Sequence, residues 1–207
     1  MHSPDQQITV TGAILAGGRG TRMGGRDKGL IPLGSGYMVE SVIARLRPQV
    51  TELLLNANRN EPVYADLGVP VVADGVGDFA GPLAGLAACL RASRQPWVLT
   101  CPCDAPLLPM DLASRLIQAV RTGDAALSVA HDGDRLQPLF ALVPVHLAAD
   151  LETSLMQGEY RAGRWFQRQG AAIADFSDCP QAFLNINTPA DQVAALRHLD
   201  SKRASRP

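Results

Sequence analysis

The chain has 207 residues, of which 46% are hydrophobic and 19% charged, and its formal net charge is -1. That length suits one large domain with a sizeable core, and near-neutrality excludes a broad basic surface, so nucleic acid is not an expected partner. No apolar run is long enough to span a bilayer and the polar residues 1–9 lack the regions of a signal peptide, so no membrane partner and a cytoplasmic location are expected.

Residues 8–15 are rich in β-branched and aliphatic side chains and stop at glycines, which predicts a strand. Residues 16–28 hold five glycines among three arginines and a lysine and read as a loop. Val39, Val42, Ile43 and Leu46 have helical spacing, closed by Pro48. Strands are expected at 52–56 and 69–73. Pro82 stands where a helix would begin, and Leu83, Leu86, Ala87 and Leu90 continue one apolar stripe. A buried strand follows at 97–101, then a helical pattern after Asp111 at Leu112, Leu116, Ile117 and Val120. This alternation predicts an α/β fold with a doubly wound, mostly parallel sheet of Rossmann-like type.

The rhythm then changes. Residues 125–130 and 136–143 flank His131-Asp132-Gly133-Asp134, a hairpin turn signal, so the sheet becomes mixed. A helix is expected over 146–157, with short strands at 171–175 and 182–186. Thr188 as N-cap and Pro189 at the first helical position open a last helix to about Leu199. The expected organisation is one domain over 1–200 and a polar, disordered tail over 201–207. The four cysteines, Cys89, Cys101, Cys103 and Cys179, read as buried thiols rather than disulfides. Cys101 and Cys103 share one face of a strand, which explains their spacing without a metal.

The glycine-rich loop carries the strongest functional signal. It follows the first strand, where open α/β sheets bind ligands beyond the strands' carboxyl ends. Its glycines let backbone approach an anion, and Arg22 and Lys28 supply the charge that phosphate oxygens need. It is not a Walker loop, because Arg26 follows Gly25, and Met23 stands where the dinucleotide fingerprint needs a small residue. Asp104 ends another parallel strand on the same edge, a position suited to a Mg²⁺ ligand beside phosphates. Asn56 and Asp74 end two further strands there, so the edge has groups able to read a base and a ribose.

Several blocks, in order, resemble the molybdenum cofactor guanylyltransferase family. They are Leu15-Ala16-Gly17-Gly18, Arg22-Met23-Gly24-Gly25, Asp27-Lys28-Gly29-Leu30, Asn56-Ala57-Asn58-Arg59, Gly81-Pro82-Leu83-Ala84-Gly85, Cys101-Pro102-Cys103-Asp104 and Asn185-Ile186-Asn187-Thr188-Pro189. The resemblance implies transfer of GMP from GTP to the terminal phosphate of Mo-molybdopterin, with release of pyrophosphate. It implies GTP binding by Leu15, Ala16, Gly17 and Gly18 with Lys28, Asn56, Asp74 and Asp104, and Mg²⁺ on Asp104. Arg22, Lys28 and Asp104 form the expected catalytic set. Asn185 and Asn187 are implied on the molybdopterin side. Other proteins of cofactor synthesis, and the apo-molybdoenzymes or their chaperones, are the implied protein partners. Pro138-Leu139-Phe140 departs from the pattern, since relatives often carry a polar residue after that proline.

The chemistry suits these residues. The nucleophile is a phosphate oxygen, already anionic near neutral pH because the second ionisation of a phosphate monoester lies at about 6. No histidine base is required, and His131 reads as a hairpin residue. Rival readings are cytidylyl transfer to the same acceptor, sugar-phosphate nucleotidyl transfer, and a carrier that holds finished cofactor without catalysis. Lys28 and Asp104 favour an enzyme, because a pure carrier needs neither.

Overall fold

The computed structural model describes residues 8–17, 27–75 and 81–204. Strand β1 (Val10–Leu15) lies mid-sheet and is buried along its length. Its side chains alternate between two cores: Val10 and Ile14 face one, Ala13 and Leu15 the other. Helices α1 (Met38–Leu46) and α4 (Leu112–Gly123) cover the first face. Helices α3 (Pro82–Ala92), α5 (Ala148–Met156) and α6 (Ala162–Arg168) cover the second. The sheet is thus wound on both sides, as the alternation of strand and helix patterns predicts.

The remaining large-sheet strands are β4 (Glu52–Asn56), β5 (Val71–Val72), β6 (Trp97–Pro102), β7 (Ser128–His131), β8 (Leu136–Pro144) and β9 (Ala172–Asp175), in the order β5-β4-β1-β6-β8-β7-β9. β5, β4, β1 and β6 run parallel. β8 is antiparallel to both β6 and β7, and β9 is parallel to β7. The chain leaves β1 for β4 and β5 on one side, then returns to the other side of β1 with β6. The carboxyl end of β1 is therefore a topological switch point, where open α/β sheets form a crevice.

Several elements sit where periodicity and punctuation put them. In α1, Val39, Val42, Ile43 and Leu46 are all buried, and Glu40 reaches back to accept from the Tyr37 N–H at 2.5 Å. Pro82 opens α3, and its stripe of Leu83, Leu86, Ala87 and Leu90 is buried. The last helix, α7 (Pro189–Ala204), opens on Thr188, whose hydroxyl accepts from the Asp191 N–H at 3.2 Å while Asp191 accepts from the Thr188 N–H at 2.8 Å. It extends to Ala204, beyond the expected stop near Leu199 and into the segment read as a tail. His131 ends β7, and its Nδ1 accepts from the Gly133 N–H at 3.0 Å within the hairpin.

Other expectations are corrected. Residues 182–186 are not a strand; a 3-10 turn, Pro180–Phe183, is followed by extended chain. Its backbone meets the turn after β6, where the Ile186 N–H donates to the Asp104 carbonyl at 2.9 Å, and it joins no ladder among the described residues. The strand at 69–73 shrinks to Val71–Val72, since Pro70 has no N–H to donate. Three elements carry no expectation: the ribbon β2 (Pro32–Leu33) with β3 (Gly36–Tyr37), α2 (Glu61–Ala65), and α6. The ribbon turns at Gly34, whose φ of 67° favours glycine. A third small core of Ile31, Leu33, Met38, Leu107, Ile186 and Ala195 seats α7 against this ribbon.

All four cysteines are free, and Cys89, Cys101 and Cys103 are buried. Burial pushes the Cys89 thiol up to about 12 and also raises Cys101 and, with help from nearby Asp104, Cys103. Since the thiolate is the reactive form, iodoacetamide at pH 8 should leave these three unmodified in native protein and label them in denaturant, as read by mass spectrometry. Rapid native labelling of Cys101 or Cys103 would contradict the burial of β6 and the turn after it.

Candidate active site

The site grows from the carboxyl ends of the parallel strands. Leu15 aligns with Asn56 on β4 and with Pro102 on β6. Past the strand ends the ladder continues: the Ala16 N–H donates to the Asn56 carbonyl at 2.8 Å and the Cys103 N–H to the Leu15 carbonyl at 3.1 Å. Ala16 and Gly17 therefore lie between two clusters, one on the β4–β5 side and one on the β6 side.

On the β4–β5 side, Asn56 is buried, and its Nδ2 donates to the Val72 carbonyl at 3.1 Å and to Asp74 Oδ1 at 2.8 Å. Asn58 Nδ2 donates to Asp74 Oδ2 at 2.6 Å, while Asn58 Oδ1 accepts from the Asp74 N–H at 2.8 Å. The Asp74 carboxylate is thus held from both sides by amides. A carboxylate has about four acceptor sites, so among the described residues two are left for a ligand. The backbone comes close here: a Cβ on Gly17 would lie 3.0 Å from Asn56 Oδ1, and one on Gly85 of α3 would lie 2.2 Å from it. Only glycine at 85 leaves Asn56 its place, which gives the Gly81-Pro82-Leu83-Ala84-Gly85 block a physical reason.

On the β6 side, Asp104 is only 5% exposed. Lys28 Nζ donates to Asp104 Oδ2 at 2.8 Å and to Asn187 Oδ1 at 2.9 Å. Asn187 is oriented by its own Nδ2, which donates to the Asn185 carbonyl at 3.2 Å. The Ile186 N–H donates to the Asp104 carbonyl at 2.9 Å, so the Asn185-Ile186-Asn187 segment lies directly on the Asp104 turn.

Aromatic packing brings that segment there. Phe183 meets Phe140 of β8 edge-on at 4.8 Å and Phe176 at 5.2 Å, and all three rings are buried. Each such pair contributes about 0.5–1.5 kcal/mol beyond its burial. Phe140, from the departing Pro138-Leu139-Phe140 stretch, is therefore an anchor in the core, while Leu139 packs against the opposite face. Ile186 adds its side chain to the small core under α7.

The structure thus gathers Leu15, Ala16, Gly17, Lys28, Asn56, Asp74, Asp104 and Asn187 on one edge. Asn185 meets the cluster through its carbonyl. Gly18 and Arg22 lie outside the described residues. Asp104 and Asn187, expected on the metal side and the molybdopterin side respectively, are joined by one ammonium. Asn58, which clamps Asp74, and Asp27 and Tyr64 carry no expectation from the sequence. The Asp27 carboxylate accepts from the Gly29 N–H at 3.2 Å, from Asn60 Nδ2 at 3.1 Å and from the Tyr64 hydroxyl. Asn58 and Asp27 stand inside the quoted blocks, whereas Tyr64 has no local signature.

A family model described as the MobA-like NTP transferase domain matches residues 12–173. A molybdenum cofactor guanylyltransferase of Shewanella piezotolerans is 43% identical over 182 residues, 88% of this chain and 89% of that protein. One from Shewanella putrefaciens is 44% identical over 181 residues, 87% of this chain and 93% of that protein. Among solved structures, the molybdopterin-guanine dinucleotide biosynthesis protein A of Archaeoglobus fulgidus is similar with a TM-score of 0.75 at 21% identity, covering 92% of this chain and 99% of that one. The 2-C-methyl-D-erythritol 4-phosphate cytidylyltransferase of Thermus thermophilus gives a TM-score of 0.65 at 18% identity, covering 94% and 100%. Likeness at such identities speaks for the fold, a nucleotidyltransferase α/β sheet. The family model spans most of the chain and the Shewanella relatives match it nearly end to end, so this chain belongs to the MobA-like NTP transferases, among the molybdenum cofactor guanylyltransferases.

Proposed function

We propose that this enzyme transfers GMP from GTP to the terminal phosphate of Mo-molybdopterin and releases pyrophosphate. The observation that carries the reading is the position of Lys28 at the switch point, bonded at once to Asp104 and Asn187. An oxygen of the acceptor phosphate attacks the α-phosphorus of GTP. The bond from that phosphorus to the bridging oxygen breaks, and pyrophosphate leaves with the electron pair. Two polyanions must meet, so the chain's task is to position them and offset their charge.

Lys28 is suited to that task. Its side chain keeps 30% exposure, while its partner Asp104 keeps 7%. The ammonium can turn to incoming phosphate oxygens without leaving the site. Asp74 supplies acceptor sites for guanine N–H donors, and the clamp from Asn56 and Asn58 keeps its oxygens aimed. Asn185 and Asn187 suit the acceptor side, with Asn187 tied to the same lysine. Arg22 is assigned a second positive charge on the phosphates from the motif alone.

The reading implies Mg²⁺, and the residues fit it. Asp104 offers hard oxygens, and Mg²⁺ needs only one or two carboxylates when phosphates and water complete its shell. Asp104 would hold the ion, which when bound supplies further positive charge at the α-phosphate and the leaving group. Cytoplasmic location and delivery to molybdoenzymes or their chaperones belong to the same reading. No helix among the described residues is long and apolar enough to cross a membrane.

With purified protein, molybdopterin and Mg²⁺, pyrophosphate release should require both GTP and the pterin. CTP should be used less well by a factor on the order of 10⁴, because a site built to pair with guanine leaves polar groups unmatched against cytosine. Pterin binding without pyrophosphate release would indicate a carrier, and equal use of CTP would defeat the guanine assignment. Lys28→Ala should cost about 1.5–3 kcal/mol of transition-state stabilisation, measured as a fall in kcat/KM for GTP. Unaltered kinetics in a folded variant would remove Lys28 from the site.

A further inference from the structure

Lys28 opens a single 3-10 turn, Lys28–Leu30, and one such turn has little stability of its own. Its fixed point is Asp27, at the N-cap. The Asp27 carboxylate gathers three donors: the Gly29 N–H, Asn60 Nδ2 and the Tyr64 hydroxyl. Tyr64 comes from α2, 37 residues away, and its side chain is fully buried in the core beneath β1 and α1. Asn60, which precedes α2, holds a left-handed conformation with φ 53° and ψ 27°. A Cβ on Gly29 would lie 2.5 Å from the Tyr64 hydroxyl, so glycine there is what lets the turn sit down on the ring.

We propose that Tyr64 and Asp27 are positioning residues for Lys28. The buried phenol pins the Asp27 carboxylate, Asp27 pins the turn, and the turn aims the ammonium between Asp104 and Asn187. The inference rests on the reading of Lys28 as the phosphate-binding cation. Among the described residues, none of the groups hydrogen-bonded to Asp27 is hydrogen-bonded to Asp104 or Asn187, and the direct link from Asp27 to that cluster is its chain neighbour Lys28. Tyr64 serves as a permanent donor, because burial, with the Asp27 hydrogen bond next, pushes its ionisation far above the ordinary phenol range. The sequence Asp27-Lys28-Gly29 then has one purpose per residue: anchor, cation, and room for the anchor's partner.

The test is a double-mutant cycle read by pyrophosphate release from labelled GTP with molybdopterin and Mg²⁺, well below the melting temperature of every variant. Tyr64→Phe keeps the ring and removes the hydroxyl; it should lower kcat/KM roughly tenfold, as expected for losing a hydrogen bond to a charged group. Asp27→Ala should lower it further, and Asp27→Asn, which keeps an acceptor, should recover part of the loss. In a Lys28→Ala background, neither Tyr64→Phe nor Asp27→Ala should lower the residual rate further. Equal losses with and without Lys28 would overturn the inference, since a merely structural role acts regardless of the lysine. Full activity of Tyr64→Phe and Asp27→Ala beside a crippled Lys28→Ala would overturn it while leaving the site reading intact. Full activity of Lys28→Ala would overturn both.

Discussion

A carboxylate shut away from water needs a cation or donors, and Asp104, 5% exposed, has Lys28 at 2.8 Å. Breaking a fully buried pair costs about 3–5 kcal/mol. The partial exposure of Lys28 lowers that figure here, and it is also what makes the pair useful. One partner is sealed and the other keeps part of its side chain in solvent. Around this contact the rest of the edge is arranged. β1 and β6 bring Asp104 to the switch point, the Asp27 turn brings Lys28, and the Phe140–Phe183–Phe176 stack brings Asn187.

The two clusters flanking β1 differ in kind. The β6 cluster is built on a charge pair and suits phosphates. The β4–β5 cluster is a set of amides around Asp74, with directional hydrogen bonds and no cation among its described members, and it suits a base. Ala16 and Gly17 run between them, and glycines at 17, 29 and 85 mark the places where backbone comes within contact distance of site side chains or their supports.

Much of this was legible in the sequence. Strands read from aliphatic runs and helices opened by proline or closed near it fell where expected, because periodicity and punctuation are local signals. Asn56, Asp74 and Asp104 were legible by a single topological argument, that polar groups at the ends of parallel strands share an edge, and Lys28 by its charge in the glycine-rich loop after the first strand. Asn187 was legible only through resemblance, and its bond to Lys28 spans 159 positions, which no local pattern encodes. Helix α2 escaped because it has five residues with a proline in its first turn, and Tyr64 escaped with it. Residues 182–186 looked like a strand because they are mostly apolar. Ala182 and Phe183 instead fill the large core under α1 and α4, Ile186 fills the small core under α7, and Leu184 and Asn185 between them are exposed.

The central claim is that the nucleotide binds across the carboxyl end of β1, with its base towards Asp74 and its phosphates towards Lys28. The most direct measurement is a crystal structure with a GTP analogue that cannot release pyrophosphate, α,β-methylene GTP, and Mg²⁺. The account predicts guanine within hydrogen-bonding distance of Asp74, Lys28 Nζ turned onto phosphate oxygens, and the metal on Asp104. A nucleotide seated elsewhere, such as the cleft between α3 and α5 lined by Ala84, Ala88 and Leu155, would contradict it.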